Sequence, residues 1–298
     1  MHANPQHAYD SSTFQADCAN CFGLCCVALD FTASTDFPVD KEKGIACKNL
    51  QDDFRCSIHR NLKLSGYSGC TLFDCLGAGQ KVSQQTFGGV SWKDDPKSAS
   101  KMFQALPVMQ QLQEMLLYLT QAIEHCGDRQ LQETLQNSRR EIDELTKVSA
   151  ERLLAADLPK LRQNINGFLV QVSEQVRLES GRLGKKQRRK KGPDYRGANS
   201  MGKKYKGCDM RGANFRGAYL IGADLSDADL RNSDFIGADL RDCDLSGADL
   251  AGGIFLTQMQ VNSAKGDAGT SLPLLLSKPA HWGSAEQSLW LQSLNEEG

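Results

Sequence analysis

From residue 193 to residue 257 the apolar positions return every five residues, and ADLSDADLRNSDFIGADLRDCDLSGADLAG shows the unit: a small residue, Asp, Leu or Phe, then two polar residues. Neither the 3.6-residue period of a helix nor the 2.0-residue period of a strand accommodates five, so the chain turns a corner once per unit. The aromatic centres Tyr195, Phe215, Phe235 and Phe255 stand twenty residues, or four units, apart. A four-sided coil follows, with those rings in one column at about 4.8 Å spacing, where offset aromatic pairs attract. Tyr205, Leu225 and Leu245 form a second column, and Met210, Leu230 and Leu250 a third. Leu220 and Leu240 form a fourth, which begins at the polar Ser200. The small residues two before each centre, Cys208 and Cys243 among them, are expected to point inward as packing residues. Lys203 and Ser200 break the pattern, so the first coil reads as imperfect or capped.

Upstream the period changes to three and four. Phe103, Leu106, Met109, Leu112, Leu116, Leu119 and Ile123 line one face of a predicted helix that Gly127-Asp128 ends. A second helix is predicted to carry Leu131, Leu135, Ile142, Leu145 and Leu153. A third follows Asp157, an N-cap with Pro159 in the first turn, and carries Leu161, Ile165, Phe168, Val172 and Val176. These stripes predict a helical hairpin or three-helix bundle; the functional alternative is a homodimer built on an exposed stripe. After the repeats, Thr257 with Gln260 makes a capping-box pattern that predicts a short helix ending near Gly266. Ser284 with Gln287 repeats that pattern before Leu289, Trp290, Leu291 and Leu294, and Trp282 and Trp290 are expected to cover the open end of the coils.

The five-residue units resemble the pentapeptide-repeat family, and the resemblance implies a right-handed quadrilateral β-helix. The chain as a whole then reads as multidomain α+β: a cysteine-rich module over 1–95, a helical connector over 96–181, a basic linker over 182–192, the repeat β-helix over 193–257 and a helical cap over 258–298. Some members of that family protect type II topoisomerases by imitating duplex DNA with an acidic rod, so the resemblance also implies a DNA topoisomerase as one candidate partner. The units centred on Tyr195 to Phe255 stack to a rod of only about 16 Å, the rise of about five base pairs. Moreover, the outward Asp224, Asp229, Asp234, Asp239, Asp244 and Asp249 are spread around the square rather than along one edge.

At 24% charged and 40% hydrophobic residues the 298-residue chain has the composition of a folded soluble protein. It opens without a leader pattern, and its apolar runs are too short to span a bilayer, so a cytoplasmic location away from membranes is expected. The formal net charge of −1 conceals a net +11 over residues 182–216 and a net −6 over residues 217–252. Lys185, Lys186, Arg188, Arg189, Lys190 and Lys191, between Gly184 and Gly192-Pro193, form a candidate polyanion-binding run through which nucleic acid could be held.

Eight cysteines precede residue 76: Cys18, Cys21, Cys25, Cys26, Cys47, Cys56, Cys70 and Cys75. A C-x2-C loop directs two thiolates to one point, the arrangement that chelates Zn2+ or anchors an iron-sulfur cluster. Eight thiolates suit two four-ligand sites, and adjacent Cys25 and Cys26 serve two metals better than one. Disulfides and redox-active thiols remain the alternatives. The segments between the cysteines hold few apolar residues, so bound metal would contribute much of the module's folding free energy. CANCFGLCC with RCSIH and GCTLFDC is similar to the zinc- or iron-chelating domains that carry a C-x2-C-x2-C-C signature, the second spacer here being three residues. His59 is a further candidate ligand, and Gly77-Ala78-Gly79 reads as a loop glycine pair rather than a phosphate-binding turn. No constellation of His with Ser, Asp or Cys suggests catalysis. The expected function is therefore non-enzymatic binding or regulation, with a metal-stabilised module and a solenoid presented to a protein partner. The rivals are an iron-sulfur or thiol redox protein docked by its solenoid and a DNA-mimicking, topoisomerase-protecting resistance protein.

Overall fold

The computed structural model describes residues 11–179 and 192–283, and the chain divides into two compact units, Met1–Leu169 and Val170–Gly298. The first begins with short helices α1 (Leu24–Ala28), α2 (Ser68–Leu72) and α3 (Ala78–Gln80), the last continuing into a π-helical turn over Lys81–Thr86. Longer helices follow: α4 (Ala99–His125), α5 (Arg129–Leu145), α6 (Ala150–Leu154) and α7 (Leu158–Glu179), which runs past the boundary between the units. In α4 every residue from Met115 to Ile123 is buried, so this helix is the unit's core rather than a surface stripe. The cysteine-rich segment lies against it. Buried Gln113 donates from Nε2 to Leu76 O at 2.9 Å and Thr13 O at 3.0 Å, and the rings Phe22, Phe54, Trp92 and Phe103 pack in series at centroid distances of 5.3, 5.8 and 5.7 Å.

Local chemistry sets the helix ends. Asp128 caps α5 by accepting the Leu131 amide at 2.8 Å, and Asp157 accepts the Lys160 amide at 3.1 Å at the start of α7. The helix expected to continue to Leu153 instead stops at Leu145. Thr146 turns its hydroxyl back to Asp143 O at 2.7 Å, and extended Ser149 (φ −61°, ψ 159°) starts α6 afresh.

In the second unit the five-residue period becomes a ladder of isolated parallel bridges between residues twenty apart, such as Asp194 with Asn214, Asn199 with Tyr219, Lys204 with Asp224 and Asp209 with Asp229. Each coil therefore has four sides. The expected β-helix is corrected in one respect: no continuous strand occurs among the described residues, because two turn residues in every five interrupt the ladder after a single bridge. The third position of each corner has positive φ, with Gly197, Gly217 and Gly237 near +62° to +65° and Asp227, Asn232 and Asp242 near +56° to +58°. That region admits Gly, Asn and Asp most readily, which is why those three residue types fill the last place of the unit.

The column of rings is present. Tyr195 stacks on Phe215 and Phe215 on Phe235, each at 5.3 Å between centroids and with planes 8° and 19° apart, and Phe215, Phe235 and Phe255 are fully buried. Two polar residues inside are satisfied: Ser200 shares a 2.9 Å hydrogen bond with the Tyr205 hydroxyl, and Ser233 donates to Met210 O at 3.0 Å. Cys243 is buried as expected, whereas Cys208 is exposed. Cys208 belongs to the first coil, where Lys203 is exposed too, and an end coil has a neighbour on one side only. At the other end α8 (Gln258–Ser263) starts with the expected capping box between Thr257 and Gln260. It stops at Ser263, and buried Trp282 closes over the following turn, donating to Ala264 O at 3.0 Å. The expected terminal helix with Trp290 lies outside the described residues.

Candidate functional site

Two places carry chemistry: the thiols of the first unit and the outer faces of the coils. All eight N-terminal cysteines are free thiols. Cys21 and Cys75 are set by the same device. Two residues after each stands a glycine in the left-handed region, Gly23 (φ 65°) and Gly77 (φ 79°), which forms the N-cap of α1 and of α3 respectively. The turn aims amides back at the sulfur: Gly23 and Leu24 N–H at Cys21, Gly77 and Gly79 N–H at Cys75. Between the two sulfurs sits Gly79, where a Cβ would lie 2.7 Å from Cys21 Sγ and 3.7 Å from Cys75 Sγ. Cys18 is brought to the same side by Gln80, which accepts the Asp17 amide at 3.2 Å and donates to Gln15 O at 2.8 Å.

The remaining thiols gather around α1. The Cys47 amide donates to Cys26 O at 2.9 Å, and a bridge between Leu50 and Cys56 folds the 47–56 loop onto itself. Burial, with the thiols of Cys25, Cys47 and Cys56 nearby, pushes Cys70 up to about 11. Burial also pushes Cys75 up to about 11, against the pull of its amides. Cys25 and Cys26 lie 4.0 Å apart, sulfur to sulfur. Their hydrogen bond lowers the pKa of Cys25 and raises that of Cys26, so one proton serves the pair. Sequence reasoning missed Lys41, which is buried with its ammonium donating to Val27 O at 3.4 Å, to Glu42 O at 3.2 Å and to Leu29 O. Burial lowers its pKa, while Cys47, Cys26, Asp30 and Cys25 act to raise it.

Among the described residues no group of three or more His, Cys, Asp or Glu side chains is placed to hold a metal ion. Amides directed at Cys21 and Cys75 and the Lys41 ammonium near Cys25 favour anionic sulfur, the form that a thiophilic ion would bind. His59 is exposed on a short 3-10 turn over His59–Asn61. The basic run at Lys185, Lys186, Arg188, Arg189, Lys190 and Lys191 lies outside the described residues. No helix among the described residues is long and apolar enough to cross a membrane.

On the solenoid the repeated Asp proves to be a corner cap. Asp209, Asn214, Asp224, Asp229, Asp234, Asp239, Asp244 and Asp249 each accept the N–H two residues on, at 2.9–3.4 Å. Several are clamped as well. Arg211, Arg231 and Arg241 make paired hydrogen bonds to Asp209, Asp229 and Asp239, and Arg211 and Arg231 also reach Asp229 and Asp249 of the next coil at 3.4 and 3.6 Å. Asp234, fully buried, is paired to Arg216 at 2.9 Å. Hydrogen bonds from the arginines hold Asp229 and Asp239 below the usual carboxylate range.

Within the repeats, three described bridging positions lack the cap: Lys204, Tyr219 and Ile254. Ile254 is buried. Lys204 and Tyr219 face solvent, and Tyr219, 53% exposed, shares its side of the solenoid with Met201, also 53% exposed, and half-buried Ile221. Exposed Lys203 and Lys204 stand just round the next corner.

The pentapeptide-repeat family model matches residues 208–247 in eight copies. A protein of Bacillus subtilis (strain 168), named uncharacterized protein YybG, is 53% identical over 276 residues, which span 92% of this chain and 95% of YybG. Among solved structures, the pentapeptide-repeat protein Rfr23 from the cyanobacterium Cyanothece 51142 is 26% identical over 26% of this chain and 60% of its own, with a TM-score of 0.17. Full-length QnrB1, a plasmid-mediated fluoroquinolone resistance protein, is 20% identical over 34% of this chain and 63% of its own, with a TM-score of 0.13.

Proposed function

The chain belongs to the family of Bacillus subtilis YybG and carries pentapeptide repeats, and from that premise we propose that it is a non-enzymatic binding protein whose solenoid presents one face to a protein partner while a metal-stabilised thiol module forms part of the other unit. One observation carries the reading: the repeat is broken at exposed Lys204 and Tyr219, where a corner cap is given up, and the break coincides with the apolar surface of Met201, Tyr219 and Ile221. A residue that forgoes a local hydrogen bond worth about 1 kcal/mol is retained for something other than the fold. The apolar character of the patch favours protein over nucleic acid. The DNA-imitating alternative draws less support, since the carboxylates it would display are engaged by their own corner amides and by Arg211, Arg231 and Arg241.

The test restores the repeat. Tyr219→Asp and Lys204→Asp should leave the solenoid as stable as before or more stable by about 0.5–1.5 kcal/mol. Both should weaken capture of the partner, identified by photo-crosslinking from position 219 in the source cells, by about tenfold or more. Undiminished capture by a folded double variant would refute the proposal.

A further inference from the structure

The cations of the repeats divide into those the coils use and those they leave free. Arg211, Arg216, Arg231 and Arg241 are paired with Asp209, Asp234, Asp229 and Asp239, and Lys206 with Asp227. Arg196 stands two residues from Asp194, whose carboxylate accepts its amide at 3.0 Å. Lys203 and Lys204 are exposed, and among the described residues neither ammonium enters an ion pair or a hydrogen bond. Asp224, the bridge partner of Lys204, is already engaged by the amide and hydroxyl of Ser226 at 3.1 and 2.6 Å, so Lys204 acts on it only through space. Neither lysine serves the repeat: Lys203 fills the small place of its unit and Lys204 the capping place.

The two free charges adjoin the apolar surface. Met201 and Ile221 occupy the same corner of successive coils, where the Gly202 amide donates to Ile221 O at 2.9 Å. Tyr219 lies on the side that leads into this corner, bridged to Asn199, and Lys203 and Lys204 open the side that leaves it. Asp239, the carboxylate that bridges to Tyr219 from the next coil, is held by Arg241 at 2.6 Å. The corner therefore presents an apolar edge with uncompensated positive charge along one flank. A cationic occupant is repelled there, and a neutral apolar one covers the ammoniums without pairing them. A phosphate backbone would satisfy the lysines but leave Met201 and Ile221 without a contact.

Resting on the partner face proposed above, we propose that its occupant is an acidic segment of another protein: one large apolar residue seated on Met201, Tyr219 and Ile221, with Asp or Glu side chains beside it that reach Lys203 and Lys204. The apolar residue supplies the buried anchor, and the carboxylates set the choice of partner and the rate of encounter.

The experiment is selection of a random peptide library on the full-length chain, with peptides that also bind Tyr219→Asp removed. Enriched peptides should carry an aromatic or aliphatic anchor flanked by Asp or Glu. The Lys203→Ala, Lys204→Asn double variant removes both charges with residues that the repeat itself uses in those places, as at Ala213 and Asn214, so the coils stay folded. It should weaken the selected peptides by about tenfold, and Arg at both positions should restore binding to within about threefold. Raising salt from about 0.05 M to about 0.5 M should weaken binding to the unmodified chain by about fivefold or more and to the neutral variant by less. Lys265→Ala, which removes a paired charge farther along the same side, should change binding by less than about twofold. Neutral or basic enriched peptides, no enrichment that depends on Tyr219, full affinity in the neutral double variant, or displacement of the peptides by an equal concentration of single-stranded RNA would each overturn the inference. Peptides that need Tyr219 but not the lysines would defeat the acidic partner and leave the partner face standing, whereas cellular capture undiminished in the folded Tyr219→Asp, Lys204→Asp variant removes the face itself, so the two failures are distinguishable.

Discussion

Replacing Phe235 by Ala removes the middle of the aromatic column. The ring is fully buried and stacks on Phe215 at 5.3 Å, and Gly253 lies close enough that a Cβ there would be 3.6 Å from Phe235 Cε2. A Phe→Ala change in a core costs about 3–5 kcal/mol through lost transfer energy and the cavity left behind. Loss of the stacked contact adds about 0.5–1.5 kcal/mol. Backbone relaxation is limited because each coil is pinned to the next by bridges on every side, so the cavity cannot close cheaply. Tyr195→Ala is the internal control: it also loses a stacked ring, but at the first coil and partly exposed, so about 1–3 kcal/mol is expected. Hydrogen exchange read by mass spectrometry on peptides covering 213–250 measures the opening free energy of the solenoid without requiring the whole chain to unfold in one step. At 1.4 kcal/mol per factor of ten, Phe235→Ala should accelerate exchange by about a thousandfold. Acceleration below about tenfold, or no greater than that of Tyr195→Ala, would refute the argument that these rings carry the coil.

The capping box at α8 gives a smaller local effect: Thr257→Ala should cost about 1 kcal/mol and speed exchange of the 258–263 amides about fivefold without loosening the first coils. Acid should act with opposite sign on the capped carboxylates of the solenoid and on two buried carboxylates of the first unit. In the solenoid, hydrogen bonds lower the pKa of Asp224, Asp229, Asp239 and Asp267. Their contribution is therefore present above the unfolded value near 4 and is lost as pH falls through the folded values. Burial raises Asp74 and Glu124 in the first unit, so protonation there relieves a penalty instead. Exchange protection measured between about pH 5 and pH 3 should fall faster for the solenoid peptides than for α4, and the reverse order would contradict the assignment of these carboxylates as corner caps.

Much of the solenoid was legible because its interior obeys one arithmetic rule. The twenty-residue recurrence of aromatic centres predicted the stacked column, and the Thr257–Gln260 spacing predicted the capping box, since both are local regularities that need no knowledge of distant contacts. Cys208 is exposed for a reason the repeat itself cannot express: the first coil has a neighbour on one side only, whereas Cys243 lies between coils and is buried. The split between α5 and α6 at Thr146 turns on one hydroxyl's choice of a backbone oxygen, below what a hydrophobic stripe resolves. In the thiol module the signal C-x-G occurs twice, at Cys21 and Cys75, and is present in the sequence as two cysteines each two residues before a glycine of positive φ. Lys41 was not legible at all, because nothing near it in the chain marks a lysine for burial; only the folded module brings Cys26 and Cys47 beside it.

The acidic residues show how a repeat can mislead about function. Counted along the chain, the Asp-rich stretch carries a net −6 over residues 217–252 and suggests a surface made for a cationic partner or for the imitation of nucleic acid. In place, Asp229 accepts the amide of Arg231, forms a paired hydrogen bond with that residue's guanidinium, and also meets Arg211 from the preceding coil, so its charge is spent within the solenoid. A side chain so engaged must be desolvated and released before it can bind anything else, and that requirement weakens any partner that relies on it. Residues that conform to the unit are thus committed to building it. On the reading proposed above, the partner surface lies where conformity fails, which within the repeats is at exposed Lys204 and Tyr219.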